Sequence, residues 1–220
     1  REAMIAPRLI AITDSSACGW PVVVDAMTAL TSAAAPQTVL VLLRFPGLPP
    51  REAIAAGRAL RTRTRQARQW LSVAGRIDVA LLLEADALHL GEHSGTTDDA
   101  RRLFGAGFVS RAVHSVAAAK RTLDAGAADA VLLSPIVAPR KGAPALGTSA
   151  LSALRQSRGQ RSTGRVYALG GVSSATAGAC LEAGADGVAV VSAARDEPAA
   201  LLAALGIGRF STQPRDRVAD

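Results

Sequence analysis

The chain is short of several residue types at once, and each shortage excludes something. Only two of its 220 residues are cysteine, Cys18 and Cys180. They lie far apart and lack metal-ligand spacing, which argues against a disulfide scaffold or a zinc ribbon and for a reducing compartment. Aromatic residues make up 3%. The core must then be Ala, Val and Leu, and rings for stacking nucleic-acid bases are missing. Lysine is nearly absent too: Lys120 and Lys141 are the only two, so arginine carries the net charge of +7. Such a balance permits anionic partners without requiring them. The basic run RALRTRTRQAR at 58–68 reads as the exposed face of a helix rather than an RNA-binding patch. No stretch reaches the ~18 uncharged apolar residues of a spanning helix. The opening REAMIAPRLIAITD holds no apolar segment long enough for a secretory leader. The expectation is a soluble cytoplasmic protein with neither nucleic-acid nor membrane partners.

What is present is an alternation. Short apolar runs near 8–13, 39–44, 70–74, 86–90, 108–113, 129–133, 165–169 and 186–191 read as strands. Helical patterns near 21–34, 50–68, 76–84, 97–106, 115–126, 148–157, 173–184 and 196–204 fall between and after them. The strand runs are continuously apolar, as strands covered on both faces require. Eight such units predict an α/β protein, a single (β/α)8 TIM barrel, over a doubly wound open sheet. The barrel domain is expected to span 1–208 and a polar tail 209–220. Three stretches echo one another: LEADALHLG (83–91), DAGAADAVLLS (124–134) and EAGADGVAVVS (182–192). In each a helix ends, an Asp follows and an apolar strand begins, which supports stacked βα units.

Barrel enzymes carry their chemistry on the loops after the strands, often with a phosphate site after strands 7 and 8. Strand 7 here runs into Gly170 and Gly171, and strand 8 into Val191 and Ser192. Both loops lead into helices, so backbone N–H groups can converge on one anion. The loop SPIVAPRKGAPALG (134–147) is long and carries Arg140 and Lys141, cations able to clamp an anionic group. Arg44 ends strand 2, where a guanidinium facing the cavity would bind phosphate or carboxylate. His89 closes strand 4 and His114 closes strand 5, both candidates for proton transfer. The histidines do not have zinc spacing.

LIAITD, VLVLLR, ADALHLGE, AVHSVAAA, SPIVAPRKGAPALG, ALGGVSS and AGADGVAVVSA together resemble the thiamine phosphate synthase and thiazole tautomerase family over about residues 9–195. The resemblance implies a (β/α)8 barrel that binds a thiazole phosphate between strands 7 and 8. Gly171 and Ser192 would then hold the phosphate through N–H groups, helped by Gly170, Gly147 and Lys141, with Val191 in the same loop.

The synthase reaction also needs Mg²⁺ and cations to offset the charge of a departing pyrophosphate. Family synthases read Gln-Leu-Arg-x-Lys at strand 2, where this chain has Leu42-Leu43-Arg44-Phe45-Pro46. They read Asn-Asp-Arg after strand 3, where it has Ala74-Gly75-Arg76. Ser94 stands at the second magnesium carboxylate, and Ala112 replaces a serine before Val-His-Ser. Glu92, His93 and Asp98 are the nearby donors that could substitute. The tautomerase branch needs no metal but uses a histidine where this chain has Pro135. These departures favour a metal-independent, tautomerase-like step, with His89, His114 and Lys141 as catalytic candidates and Mg²⁺ only if synthase activity is retained. An active synthase and a non-catalytic thiazole phosphate-binding protein are the alternatives. The expected partner is a phosphorylated thiazole or thiamine phosphate, with a homo-oligomer possible.

Overall fold

The computed structural model describes residues 6–16, 18–47, 49–140, 142–158 and 163–209. Its eight strands are β1 (Leu9–Ile12), β2 (Val39–Leu43), β3 (Trp70–Ala74), β4 (Ala87–Leu90), β5 (Phe108–Val113), β6 (Ala130–Leu133), β7 (Arg165–Leu169) and β8 (Gly187–Val190). All are parallel and each pairs with its neighbour in sequence, β8 closing on β1, so the sheet is a closed barrel. An open doubly wound sheet is excluded. The connecting helices are α1 (Gly19–Ala33), α2 (Pro50–Ala67), α3 (Ile77–Leu82), α4 (Thr97–Phe104), α5 (Val116–Asp124), α6 (Thr148–Ser157) and α7 (Ser174–Glu182). The expected eighth helix is two pieces, α8 (Ala193–Asp196) and α9 (Pro198–Leu205). Pro198 supplies no N–H to continue α8 and instead opens α9.

Alternation along the strands separates two apolar layers. Ile10, Leu42, Phe108, Leu132, Tyr167 and Ala189 belong to one cluster, which fills the barrel. Their sequence neighbours Leu9, Val41, Leu43, Val109, Leu133 and Val188 pack with helix residues such as Met27, Leu60 and Leu154. Side chains of opposite parity point to opposite faces, so continuous apolar runs serve both layers. The fully buried Tyr167 donates its hydroxyl to the Pro7 carbonyl at 2.6 Å.

The sequence echo has a structural cause. The carboxylates of Asp86, Asp129 and Asp186 each accept the N–H at the start of the preceding strand, from Leu71, Val109 and Val166, all at 2.8 Å. The N–H of each aspartate returns a bond to the carbonyl of that same residue, at 2.9, 2.8 and 2.8 Å. Arg61, Arg101 and Arg165 then pair with the three carboxylates. Each echo is thus a charge-assisted clasp at the N-terminal end of a strand pair, β3/β4, β5/β6 and β7/β8. The N–H of Arg209 donates to the Ala33 carbonyl at 2.8 Å, which ties residue 209 to the end of α1. Residues 210–220 of the expected tail lie outside the described residues.

Candidate functional site

Parallel strands followed by helices bring all β-to-α loops to one end of the barrel, and two of those loops form a cavity. Gly170 and Gly171 follow β7 with φ of +98° and +75°, values that suit glycine. The start of the 134–147 loop lies directly on them. Ile136 N–H donates to the Leu169 carbonyl at 2.8 Å, and Val137 and Ala138 N–H donate to the Gly170 carbonyl at 2.8 and 3.1 Å. A Cβ on Gly170 would come within 2.8 Å of Pro135 Cα, and one on Gly171 within 2.8 Å of Ala138 N. The glycine pair therefore serves the seating of this loop as well as the turn. A docked base, rather than a loop standing free of the barrel, carries the hairpin in which Arg140 and Ala143 exchange backbone bonds of 3.0 and 2.9 Å.

The cavity beside this turn measures about 320 Å³ and is lined by residues 138–140, 169–173 and 189–193 together with Asp196 and Glu197. It joins Gly170, Gly171, Val191, Ser192 and Arg140, five of the residues singled out in the sequence. Among the described residues, no backbone carbonyl accepts from the N–H of Gly171, Val172 or Ser192. The N-terminus of α7 stands behind them, capped by Ser173, whose N–H donates to Thr176 Oγ1 at 3.0 Å. Neutral donors backed by a helix dipole suit an anion. Sequence reasoning missed Ser173, Asp196 and Glu197. Asp196 ends α8 one turn after Ala193, and Glu197 stands at the break between α8 and α9.

The remaining described candidates lie outside this cavity. Gly147 is the N-cap of α6, its N–H spent on the Ile136 carbonyl at 3.0 Å, and it does not line the cavity. Lys141 lies outside the described residues. Arg44 shares the parity of Leu40 and Leu42, which fill the barrel, and its backbone is anchored to Thr13 Oγ1 at 2.9 Å. Its guanidinium has no hydrogen-bond partner among the described residues, and its positive charge helps to lower the Asp14 pKa. The main cause of that lowering is the bonds from Ser16 to the Asp14 carboxylate. Asp14 lines a second, smaller cavity of about 190 Å³ with Thr13, Met27, Ser192 and Arg195.

The two histidines have different surroundings. His114 is exposed at the rim; its Nδ1 lies 2.9 Å from the Ser134 carbonyl, so that nitrogen carries the proton, and its Nε2 is 3.9 Å from Glu92. His89 is buried inside the barrel, its Nδ1 3.0 Å from Ser110 Oγ. Burial holds its pKa down at about 4, with the Arg111 charge adding to the effect, so the ring is neutral at physiological pH. Ser72, of the same inward parity on β3, has a buried hydroxyl without a hydrogen-bond partner. Strand parity was the signal for these two serines.

The family's magnesium site can be tested against its two positions. Gly75 and Ser94 are neighbours: a Cβ on Gly75 would sit 3.6 Å from Ser94 Oγ. Neither is a carboxylate, and Ser94 Oγ already accepts the Gly91 N–H at 2.9 Å. Among the described residues there is no group of three or more His, Cys, Asp or Glu able to hold a metal ion. A glycine and a hydroxyl do not fit a hard dication that asks for carboxylate oxygens.

Fold and cavity define a (β/α)8 barrel with a cavity after its last two strands. Comparison with known proteins carries this further. The family model described as thiamine monophosphate synthase matches residues 9–194. The chain is 38% identical over 188 residues to the thiamine-phosphate synthase of Methanoculleus marisnigri, covering 85% of each. It is 33% identical over 190 residues to that of Roseiflexus sp., covering 85% of this chain and 78% of the relative. A solved thiamine phosphate pyrophosphorylase from Pyrococcus furiosus superposes with a TM-score of 0.75 at 24% identity, over 90% of this chain and 95% of the other. The chain belongs to the thiamine monophosphate synthase family. That family works in thiamine biosynthesis. No helix among the described residues is long and apolar enough to cross a membrane.

Proposed function

We propose that the cup after β7 and β8 takes the phosphate of a phosphorylated thiazole or of thiamine phosphate, and that the chain takes part in forming thiamine phosphate. The observation that carries this reading is the convergence of Gly171, Val172 and Ser192, with uncommitted N–H groups, on one cavity in front of α7. The names of the relatives favour the synthase condensation over the tautomerase-like step expected from the residue departures. In that condensation the bond from the pyrimidine methylene to pyrophosphate breaks and the thiazole nitrogen captures the methylene carbon. Arg44, free at the mouth, and Arg140 on the cup wall are the cations this chain offers to the anions involved. Cys18 and Cys180, both free, fit a reducing cytoplasm.

A second reading, ligand binding or proton transfer on a thiazole phosphate without metal, is favoured by Gly75 and Ser94 alone. One pair of experiments decides. Thermal unfolding with and without thiamine phosphate, on the wild type and Gly171→Asp, tests the cup; at ~100 times its dissociation constant a ligand adds about 2.7 kcal/mol. Pyrophosphate release from the two substrates, with and without Mg²⁺, separates the readings. Turnover supports the synthase, and a ligand shift without turnover supports the second reading. Absence of both overturns the proposal.

A further inference from the structure

Glu197 stands between α8 and α9 and reaches across to α7. Its Oε1 accepts the Ser174 N–H at 3.1 Å and its Oε2 accepts the Ser174 hydroxyl at 2.6 Å. Ser174 is the first residue of α7, and its N–H is one of the donors a helix N-terminus leaves free for an anion. An internal carboxylate has taken that donor. The same carboxylate lines the cavity that holds Gly171 and Ser192. Neighbouring Asp196 lines it too, but Arg195 binds both its oxygens at 2.7 and 3.2 Å and offsets its charge. Glu197 has no ion pair among the described residues. The described lining therefore carries one cation, Arg140, against two carboxylates, one of them uncompensated.

We propose that Glu197 is a specificity-determining residue that restricts the cup to a monophosphate end and rejects a diphosphate end. The inference rests on the cup reading above. Uncommitted N–H groups at Gly171, Val172 and Ser192 suit the oxygens of one phosphoryl group. A second phosphoryl brings further negative charge into a cavity whose α7 donor is already occupied by a carboxylate. One extra unit of charge within about one Debye length (~8 Å) of an uncompensated carboxylate, at the effective dielectric of a protein surface, weakens binding by about tenfold. Glu197 also fixes the cup's shape through Ser174, so removing its charge must be separated from removing its bonds. Gln in its place keeps an acceptor for the Ser174 N–H and loses the charge.

The test is calorimetric titration of the purified chain with thiamine phosphate and with thiamine diphosphate, for wild type, Glu197→Gln and Glu197→Ala. The wild type is expected to prefer the monophosphate by about tenfold or more. In Glu197→Gln the preference is expected to fall to within about threefold, with monophosphate affinity kept or raised. Circular dichroism confirms that each variant is folded; if Glu197→Ala is not, the Gln variant decides alone. A wild type that binds both ligands equally, or a Gln variant that keeps the full preference, overturns this inference and leaves the cup standing. Binding of neither ligand by the wild type overturns the cup reading and the inference with it.

Discussion

His89 Nδ1 and Ser110 Oγ lie 3.0 Å apart inside the barrel, on adjacent strands and in direct register. Burial depresses the His89 pKa from its ordinary 6.5 to about 4. On acidification the unfolded chain takes up this proton first. The contribution of His89 is therefore full above pH 6.5, declines as pH falls toward 4 and then levels off. Between pH 7 and 5 the loss is about 2 kcal/mol at most. Urea unfolding of wild type and His89→Gln at both pH values checks this. The variant is expected to lose less stability than the wild type over that interval. Equal losses would mean that the proton reaches His89 without unfolding.

Gly75 and Ser94 offer a gain-of-function test. Their side chains would meet above β3 and β4, as the 3.6 Å approach shows. Gly75 has φ of +69°, a conformation that Asp accepts better than most residues. The double variant Gly75→Asp/Ser94→Asp supplies two facing carboxylates for a hard cation. Mg²⁺-dependent pyrophosphate release is expected to rise by about tenfold or more over the wild type. No rise would mean that the pyrimidine side has diverged beyond these two positions, Ala74 and Ala112 included.

Gly171 and Gly126 make a matched pair. Their φ values are +75° and +73°, yet a Cβ on Gly126 meets nothing within 4 Å while one on Gly171 runs into Ala138. Alanine at either position bears the left-handed strain, and Gly171→Ala must also displace the loop. The expected costs are about 1 kcal/mol at Gly126 and about 2–4 kcal/mol at Gly171. Only Gly171→Ala is expected to lose the thermal shift with thiamine phosphate. Equal costs would show that the 134–147 loop gives way freely.

How much of this was legible beforehand follows from the reach of each interaction. Within the apolar runs at 39–44 and 129–133, every residue of β2 and of β6 is buried on one face or the other, and burial is written locally in the sequence. The cavity after β7 and β8 was legible at Gly170, Gly171, Val191 and Ser192 because glycines at strand ends announce themselves. Glu197 was not, since its role depends on Ser174, 23 residues earlier and on another helix. Nor was the orphaned Ser72 hydroxyl, which is set by packing inside the barrel. The separation of Gly147 from the cavity follows from one bond, to the Ile136 carbonyl, that spacing alone does not reveal.

The aspartate clasps were visible as a repeat but not as a device, and Asp129 tests what they do. Its carboxylate accepts the Val109 N–H at 2.8 Å and pairs with Arg101, both groups being largely shielded from solvent. Asp129→Ala leaves that N–H without its acceptor, while Arg101 keeps the Ala127 and Gly107 carbonyls. The expected cost is about 2–3 kcal/mol by urea unfolding, against about 1 kcal/mol for Asp129→Asn, which still accepts from the backbone. Glu84→Gln breaks a solvent-exposed pair with Arg65 and is expected to leave the midpoint unchanged within error. Asp86→Ala and Asp186→Ala should follow Asp129→Ala, since each aspartate closes the same two-bond clasp. If alanine and asparagine cost the same at Asp129, the N–H bond contributes nothing, and the repeat reflects charge pairing alone.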